Sequence, residues 1–328
     1  MSIGVQKAGL LDTLQDGGRY GYQQSGINPG GVMDRLAMRV ANMLVGNDPA
    51  TAVLEMHFPA AVLLFETTAL IALSGADFSP EVEGREVPLH QPVLVKRGTV
   101  LQCKKQRKGA RMYLAVAGGF KTEQWLHSAS TQLQVKAGGF AGRALQKHDK
   151  LLLRKPDLFL LPEPSQVIET LPWRADIGGL YHDGPIRCIA GNELDNLDNR
   201  SRQLLTDSVF QISRESNRMG YRLQGPVLHS NLAGELVSTA ITRGTIQLLP
   251  NGQLIVLMAD HQTTGGYPRL AHVTSADLPV LAQKQAGEQF SLQLVSVAEA
   301  EKIFREQEMN LQQLQNACNF RLDRYFGT

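Results

Sequence analysis

Thr245-Ile246-Gln247-Leu248-Leu249 and Gln253-Leu254-Ile255-Val256-Leu257-Met258 are two short apolar runs with Pro250, Asn251 and Gly252 between them. Apolar runs this short, bounded by proline and glycine, read as strands. The same texture extends in both directions. Ile186–Ile189, Val209–Ile212 and Phe290–Val295 repeat it in the second half of the chain. Val53–Met56, Ala61–Phe65, Ala69–Leu73, Val93–Val95 and Arg111–Val116 repeat it in the first. Many short strands with frequent glycine turns predict a mainly β fold of barrels or sandwiches, not alternating βα units.

Three helices interrupt this pattern. Asp34 is placed to cap a helix running to about Val45, with Gly46 free to take the left-handed position after it. Thr274 and Asp277 have capping-box spacing before a short helix over Asp277–Gln283. A polar helix starts at Ser296, with Glu299 completing a second capping box, and is expected to reach about Asn316. Between the halves, Pro156, Pro162, Pro164 and Pro172 punctuate residues 154–175. Proline removes backbone donors and favours extended chain, so a boundary is expected near residue 165. This gives an N-terminal β-rich domain over 1–165 and a C-terminal β domain with the last helix over 166–328.

Composition limits the function classes. Of 328 residues, 43% are hydrophobic and 20% charged, as in ordinary folded domains. With 33 basic against 31 acidic residues, the net charge of +2 lacks the basic excess of a nucleic-acid binder. The one dense basic run, from Lys104 to Arg111, lacks interleaved aromatics and reads as a solvated hairpin loop. Three widely spaced cysteines argue against a disulfide framework and for a reducing, cytoplasmic setting. Met1–Leu14 reads as a first strand, not a signal peptide, and no apolar run reaches the about 18 residues of a membrane span. No phosphate-binding P-loop, dinucleotide fingerprint, nucleophile elbow or metal-ligand spacing occurs, so no metal is expected.

Three segments carry candidate chemistry. In the first, Asp16 and Arg19 flank Gly17-Gly18. In the second, Ser216-Asn217-Arg218-Met219-Gly220-Tyr221-Arg222 concentrates donors, and arginine suits carboxylate or phosphate. In the third, Asp260-His261-Gln262-Thr263-Thr264-Gly265-Gly266-Tyr267-Pro268 leaves an apolar strand. Its Thr-Thr-Gly-Gly turn has amides that could cradle an oxyanion, and Asp260 could orient a nucleophile. Whether Tyr267–Pro268 is cis does not follow from sequence. Each segment also reads as a polar turn.

These strings, with Thr13 to Arg19, Gly26 to Asp34, Leu44-Val45-Gly46-Asn47 and Tyr113 to Gly119, resemble a known family. It is that of the 5-oxoprolinase C subunits, in the biotin-dependent carboxyltransferase-like group related to allophanate hydrolase subunit 2 and to urea amidolyase. The resemblance spans nearly the whole chain. It implies cyclophilin-like β-barrel domains, partner subunits A and B, and ATP-dependent opening of 5-oxo-L-proline to L-glutamate. In the urea amidolyase branch it implies carboxyl transfer to a urea-like substrate. It also implies a regulatory reading, in which the module sequesters a cyclophilin-like inhibitor of a kinase. ATP would be used by the complex and held mainly elsewhere, and biotin is not expected on this chain. For the enzyme reading, Asp260, Gly265 and Gly266 are the expected catalytic groups. Asn217, Arg218, Tyr221, Arg222, Gln262, Thr263, Thr264 and Tyr267 are the expected substrate contacts. Asp16, Arg19, Glu235 and Ser238 are secondary candidates. Where relatives often carry a proline, this chain has Asn192, which weakens any role for Glu193.

Overall fold

The computed structural model describes residues 1–155, 159, 161–232 and 236–327. Contacts divide the chain into two units, each discontinuous in sequence. One comprises Met1–Arg19, Asp34–Gly179 and Met309–Thr328; the other comprises Tyr20–Met33 and Leu180–Glu308.

The first unit is built on two six-stranded sheets. In one, Ser2–Lys7 pairs with both Lys150–Leu152 and Val62–Phe65. In the other, Lys108–Val116 pairs with Ala69–Asp77 and Val53–Met56. Their apolar residues share one core, with Ile3, Leu63 and Phe65 from the first sheet and Leu54, Ile71 and Leu114 from the second. Ile168–Thr170 pairs with Pro92–Val95. The chain just beyond residue 165 therefore still completes a sheet of this unit. The helix Arg35–Leu44 forms where its spacing predicts. The Asp34 carboxylate accepts from Ala37 N at 2.9 Å, and Gly46 follows at φ 72°. Of the basic run only residues 104–107 form a loop, where Lys104 pairs with Glu81 at 3.0 Å and Arg107 with Glu86 at 3.0 Å; Lys108 and the buried Arg111 belong to the strand Lys108–Val116, not to a solvated loop.

The second unit contains the closed barrel. Its strands run in the order Ile186–Ala190, Arg269–Val273, Thr245–Leu248, Leu254–Leu257, Gly220–Gln224, Val209–Ile212 and Gln289–Leu294. The fold is mainly β, as expected, with the closed barrel in this unit and two sheets in the other. Strand alternation sends every second side chain inward. Tyr221, Leu223, Ile246, Leu248, Leu254, Val256 and Ala271 fill the barrel interior. Arg222, Gln247 and Ile255 occupy the opposite phase.

Two helix details depart from the spacing argument. The Thr274–Asp277 capping box is not made, because Arg187 takes the Asp277 carboxylate through its backbone N–H at 2.7 Å and its guanidinium. The final helix does start with the Ser296–Glu299 cap at 3.1 Å, but it runs over Val297–Phe326, ten residues past the expected end. No glycine or proline follows Asn316 until Gly327, and burial of Cys318 and Leu322 adds packing to the extra turns. A further helix, Asn199–Asp207, capped by Asp198, lies where the sequence pattern predicts none.

Candidate functional site

The outer face of the barrel carries the candidate site. Gly220 lies opposite Leu257, Arg222 opposite Ile255, and Gln247 opposite Ile255 on its other side. Arg222, Ile255 and Gln247 thus form a row across three neighbouring strands. A cavity of about 440 Å³ opens over this row. Asn217, Arg222, Gln247, Ile255, Gln262 and Tyr267 are among its lining residues. Both the Ser216–Arg222 and Asp260–Pro268 segments therefore contribute to one cavity. A second cavity of about 710 Å³ shares Tyr267 and Asn251 with it and adds Ser238 and Gly266.

The expected site residues fall into three groups. Asn217, Arg222, Gln262 and Tyr267 line the smaller cavity. Arg222 is about half exposed, and Glu215 lies 3.9 Å from its Nε. Tyr221 does not reach the cavity. It is 2% exposed and packs in the barrel core, because strand alternation puts it in phase with Leu223. Thr263 is buried and Thr264 exposed.

Arg218 and Asp260 form the second group, and they are occupied with each other. Arg218 Nε donates to Asp260 Oδ2 at 2.8 Å and Nη2 donates to Oδ1 at 3.2 Å, in a bidentate fork. Nη2 also donates to Gly31 O at 2.6 Å. Asp260 N donates to Arg218 O at 2.8 Å, and Asn28 Nδ2 donates to Asp260 O at 3.0 Å. Arg243 donates to Val32 O at 3.0 Å and to Met33 O. Two arginines therefore bind three consecutive carbonyls, Gly31 to Met33, and fasten the Tyr20–Met33 excursion to the barrel. The geometry gives Arg218 and Asp260 an organising task; neither lines either cavity. Next to them, His261 is buried, and burial lowers its pKa below the usual imidazole range.

The glycines differ from the expected turn. Thr264–Gly265 is a short strand paired with Thr239–Ala240, and neither Gly265 nor Gly266 has positive φ. Close approach marks Gly265 instead. A Cβ there would lie 2.9 Å from Gln247 Nε2 and 3.0 Å from an Ile241 methyl. The Tyr267–Pro268 bond is trans.

The third group lies in the first unit. Asp16 accepts from Ser128 Oγ, Ser130 Oγ and Ala129 N at 2.6–2.7 Å. Arg19 is 1% exposed, donates to Ser130 O and stacks over Trp125 at 4.8 Å. These contacts fix a turn. Glu235 lies outside the described residues.

Two features are not legible from sequence. Gln247 reads as an outward polar strand residue, yet it is 0% exposed. Glu193, whose role Asn192 weakens, grips Arg269 through Nε at 3.0 Å, Nη2 at 2.7 Å and the backbone N–H at 2.8 Å. Arg269 holds the Glu193 carboxyl below its ordinary range. Only the partner's position, 76 residues away, would have revealed it. Among the described residues no group of three or more side chains is placed to hold a metal. No described helix is long and apolar enough to cross a membrane.

A β protein with a filled barrel and a polar-lined cavity on the barrel's outer face is the class these features define. The chain matches a family model for the carboxyltransferase domain, subdomains A and B, over residues 25–294. It is 38% identical to the C subunit of 5-oxoprolinase from Escherichia coli over 310 residues, covering 94% of this chain and 96% of that one. It is 35% identical to the Haemophilus influenzae C subunit over 302 residues, covering 92% and 94%. The crystal structure of K. lactis urea amidolyase superposes with a TM-score of 0.84 at 26% identity, over 95% of this chain and 20% of that one. The chain belongs to the carboxyltransferase-domain family, in the group of the 5-oxoprolinase C subunits to which it is similar.

Proposed function

We propose that this chain is one subunit of a cytoplasmic, ATP-dependent 5-oxoprolinase that opens 5-oxo-L-proline to L-glutamate, and that it works with subunits A and B. The observation that carries the reading is the 38% identity to the E. coli 5-oxoprolinase C subunit, which runs through nearly the full length of both chains. The smaller cavity supports it. A planar lactam with a carboxylate needs an apolar floor, amide partners and a cation, and Ile255, Gln262, Asn217 and Arg222 supply those types. Arg222 takes the carboxylate in this reading, since Arg218 is committed to Asp260.

Lactam opening breaks the ring C–N bond and adds water across it; coupling to ATP makes the stable amide reactive. The smaller cavity is a poor fit for a triphosphate, since Arg222 is the one cationic side chain among its described lining residues and Glu215 sits beside it. ATP is therefore assigned to the partner subunits, and so is any biotin. The test is glutamate formation from 5-oxoproline and ATP by the purified complex, with wild-type chain and with Arg222→Met. The variant should lose about tenfold or more in kcat/KM, the effect of removing a charged hydrogen bond of about 1.5–3 kcal/mol. A complete complex that makes no glutamate would reject the reading.

The family model's carboxyltransferase description and the superposition on urea amidolyase favour a second reading, carboxyl transfer to a urea-like substrate. It predicts ADP release that depends on bicarbonate and urea instead of 5-oxoproline.

A further inference from the structure

Gln247 is buried at 0% exposure on the barrel's outer face, yet its Oε1 has no hydrogen-bond partner. Its Nε2 lies 3.5 Å from Tyr267 O, the outer limit of a hydrogen bond. Buried side-chain polar atoms are nearly always paired, so one left like this calls for a cause. Packing supplies none: the row neighbour is Ile255, and an apolar residue of similar volume would suit a sealed position better.

The surroundings supply one. Gln247 lines the 440 Å³ cavity. The bare Cα of Gly265 faces two primary amides, since a Cβ there would lie 2.9 Å from Gln247 Nε2 and 3.7 Å from Gln262 Nε2. A lactam carries its N–H and C=O on the same side of the ring. That pair matches the Oε1 acceptor and Nε2 donor of a glutamine in a two-bond face-to-face arrangement. Arg222 lies two strands away across Ile255, at a strand spacing that puts the two Cα atoms about 10 Å apart. A five-membered lactam with its carboxylate spans the gap between their converging side chains. Oε1 is sealed from water, so entry requires a shift of the cavity wall, which includes the half-exposed Tyr267.

We infer that Gln247 is the specificity-determining residue of this cavity, reading the lactam edge of a small carboxylate ligand with Gln262 beside it. The inference rests on the 5-oxoprolinase reading for its choice of a lactam carboxylate. The purified complex, without ATP, is titrated by calorimetry with 5-oxoproline, with cyclopentanecarboxylate (ring and carboxylate kept, lactam N–H and C=O gone) and with 2-pyrrolidinone (carboxylate gone). A site built around a hydrogen-bonding pair rejects the ligand that lacks it, so wild type should prefer 5-oxoproline over cyclopentanecarboxylate by about tenfold or more. Gln247→Leu should bring that ratio close to one. Gln262→Ala, at an exposed position, should lower the ratio a few-fold and serves as the deciding variant if Gln247→Leu does not fold. Absence of 5-oxoproline binding to wild type, or an unchanged ratio in the folded variant, overturns the inference. Glutamate formation is read separately. A complex that keeps the Gln247-dependent ratio but makes no glutamate rejects ring opening alone. One that makes glutamate with the ratio intact in Gln247→Leu rejects the inference alone.

Discussion

Replacing Arg218 by methionine tests whether the Arg218–Asp260 pair organises the barrel or does chemistry. The side chains are 7% and 17% exposed, so the pair is largely shielded from water. Arg218→Met keeps the stem and removes both bonds to Asp260 and the one to Gly31 O. Breaking a buried pair by deleting one partner costs about 3–5 kcal/mol, because the other charge is left uncompensated. The 17% exposure of Asp260 places this case near the lower end, at about 3 kcal/mol, or about 6–12 °C of melting temperature. Both tryptophans, Trp125 and Trp173, belong to the first unit, so their fluorescence does not report on the barrel. Far-UV circular dichroism and amide exchange at Met258 and Asp260, whose N–H groups donate to Met219 O and Arg218 O, do report on it. Exchange at these two amides should rise together. Adding Asp260→Leu removes the orphaned charge and should recover about 2 kcal/mol. A melting temperature within about 1 °C of wild type, together with loss of glutamate formation in the complex, would refute the structural reasoning and return the pair to catalysis.

Two further predictions concern pH. Asp12 in the first unit is buried, which raises its carboxyl to about 7 despite bonds from His57 N and Ala61 N. The native state then keeps a proton that the unfolded chain releases, so stability should fall by up to about 4 kcal/mol as pH rises from about 4 to 7, then level off. Urea titrations across that range check it, and Asp12→Asn should remove this slope. Glu193 has the opposite sign: its lowered pKa contributes stability above the ordinary carboxyl range that is lost as pH falls through the folded value. Glu193→Gln should be less stable than wild type at neutral pH, and in the same urea titrations the gap should close below about pH 4.

Much of the fold is legible in the sequence because local chemistry and tertiary structure agree. The runs around Thr245–Met258 are strands, and Asp34 caps the helix its spacing predicts. The losses come where a distant partner decides the outcome. Asp277 looks like half of a capping box, but Arg187, 90 residues away, claims its carboxylate. Arg218 and Asp260 both stand out as polar groups in glycine-containing segments. Their pairing across 42 residues follows from the register of Gly220 with Leu257, which no local pattern shows. Gln247 stays hidden because alternation marks it as outward, and outward ordinarily means wet. The strand Thr264–Gly265 and its partner Thr239–Ala240 lie along that face, and the close approach of Gly265 to Gln247 changes the meaning of the position.

The same alternation explains why a site belongs on the outside of this barrel. A seven-stranded barrel whose inward phase is Tyr221, Leu223, Ile246, Leu248, Leu254 and Val256 has no interior room, since cores pack at crystal-like density. Any ligand must meet the other phase, and there the strands offer Arg222, Ile255 and Gln247 in one row. In Gly220-Tyr221-Arg222-Leu223, one residue packs in the core and the next lines the cavity, so the segment divides between core and cavity wall. A family string that mixes both duties cannot be read as a list of substrate contacts. Its phase must be known first, and here the phase turns Arg222 toward the cavity and Tyr221 into the core.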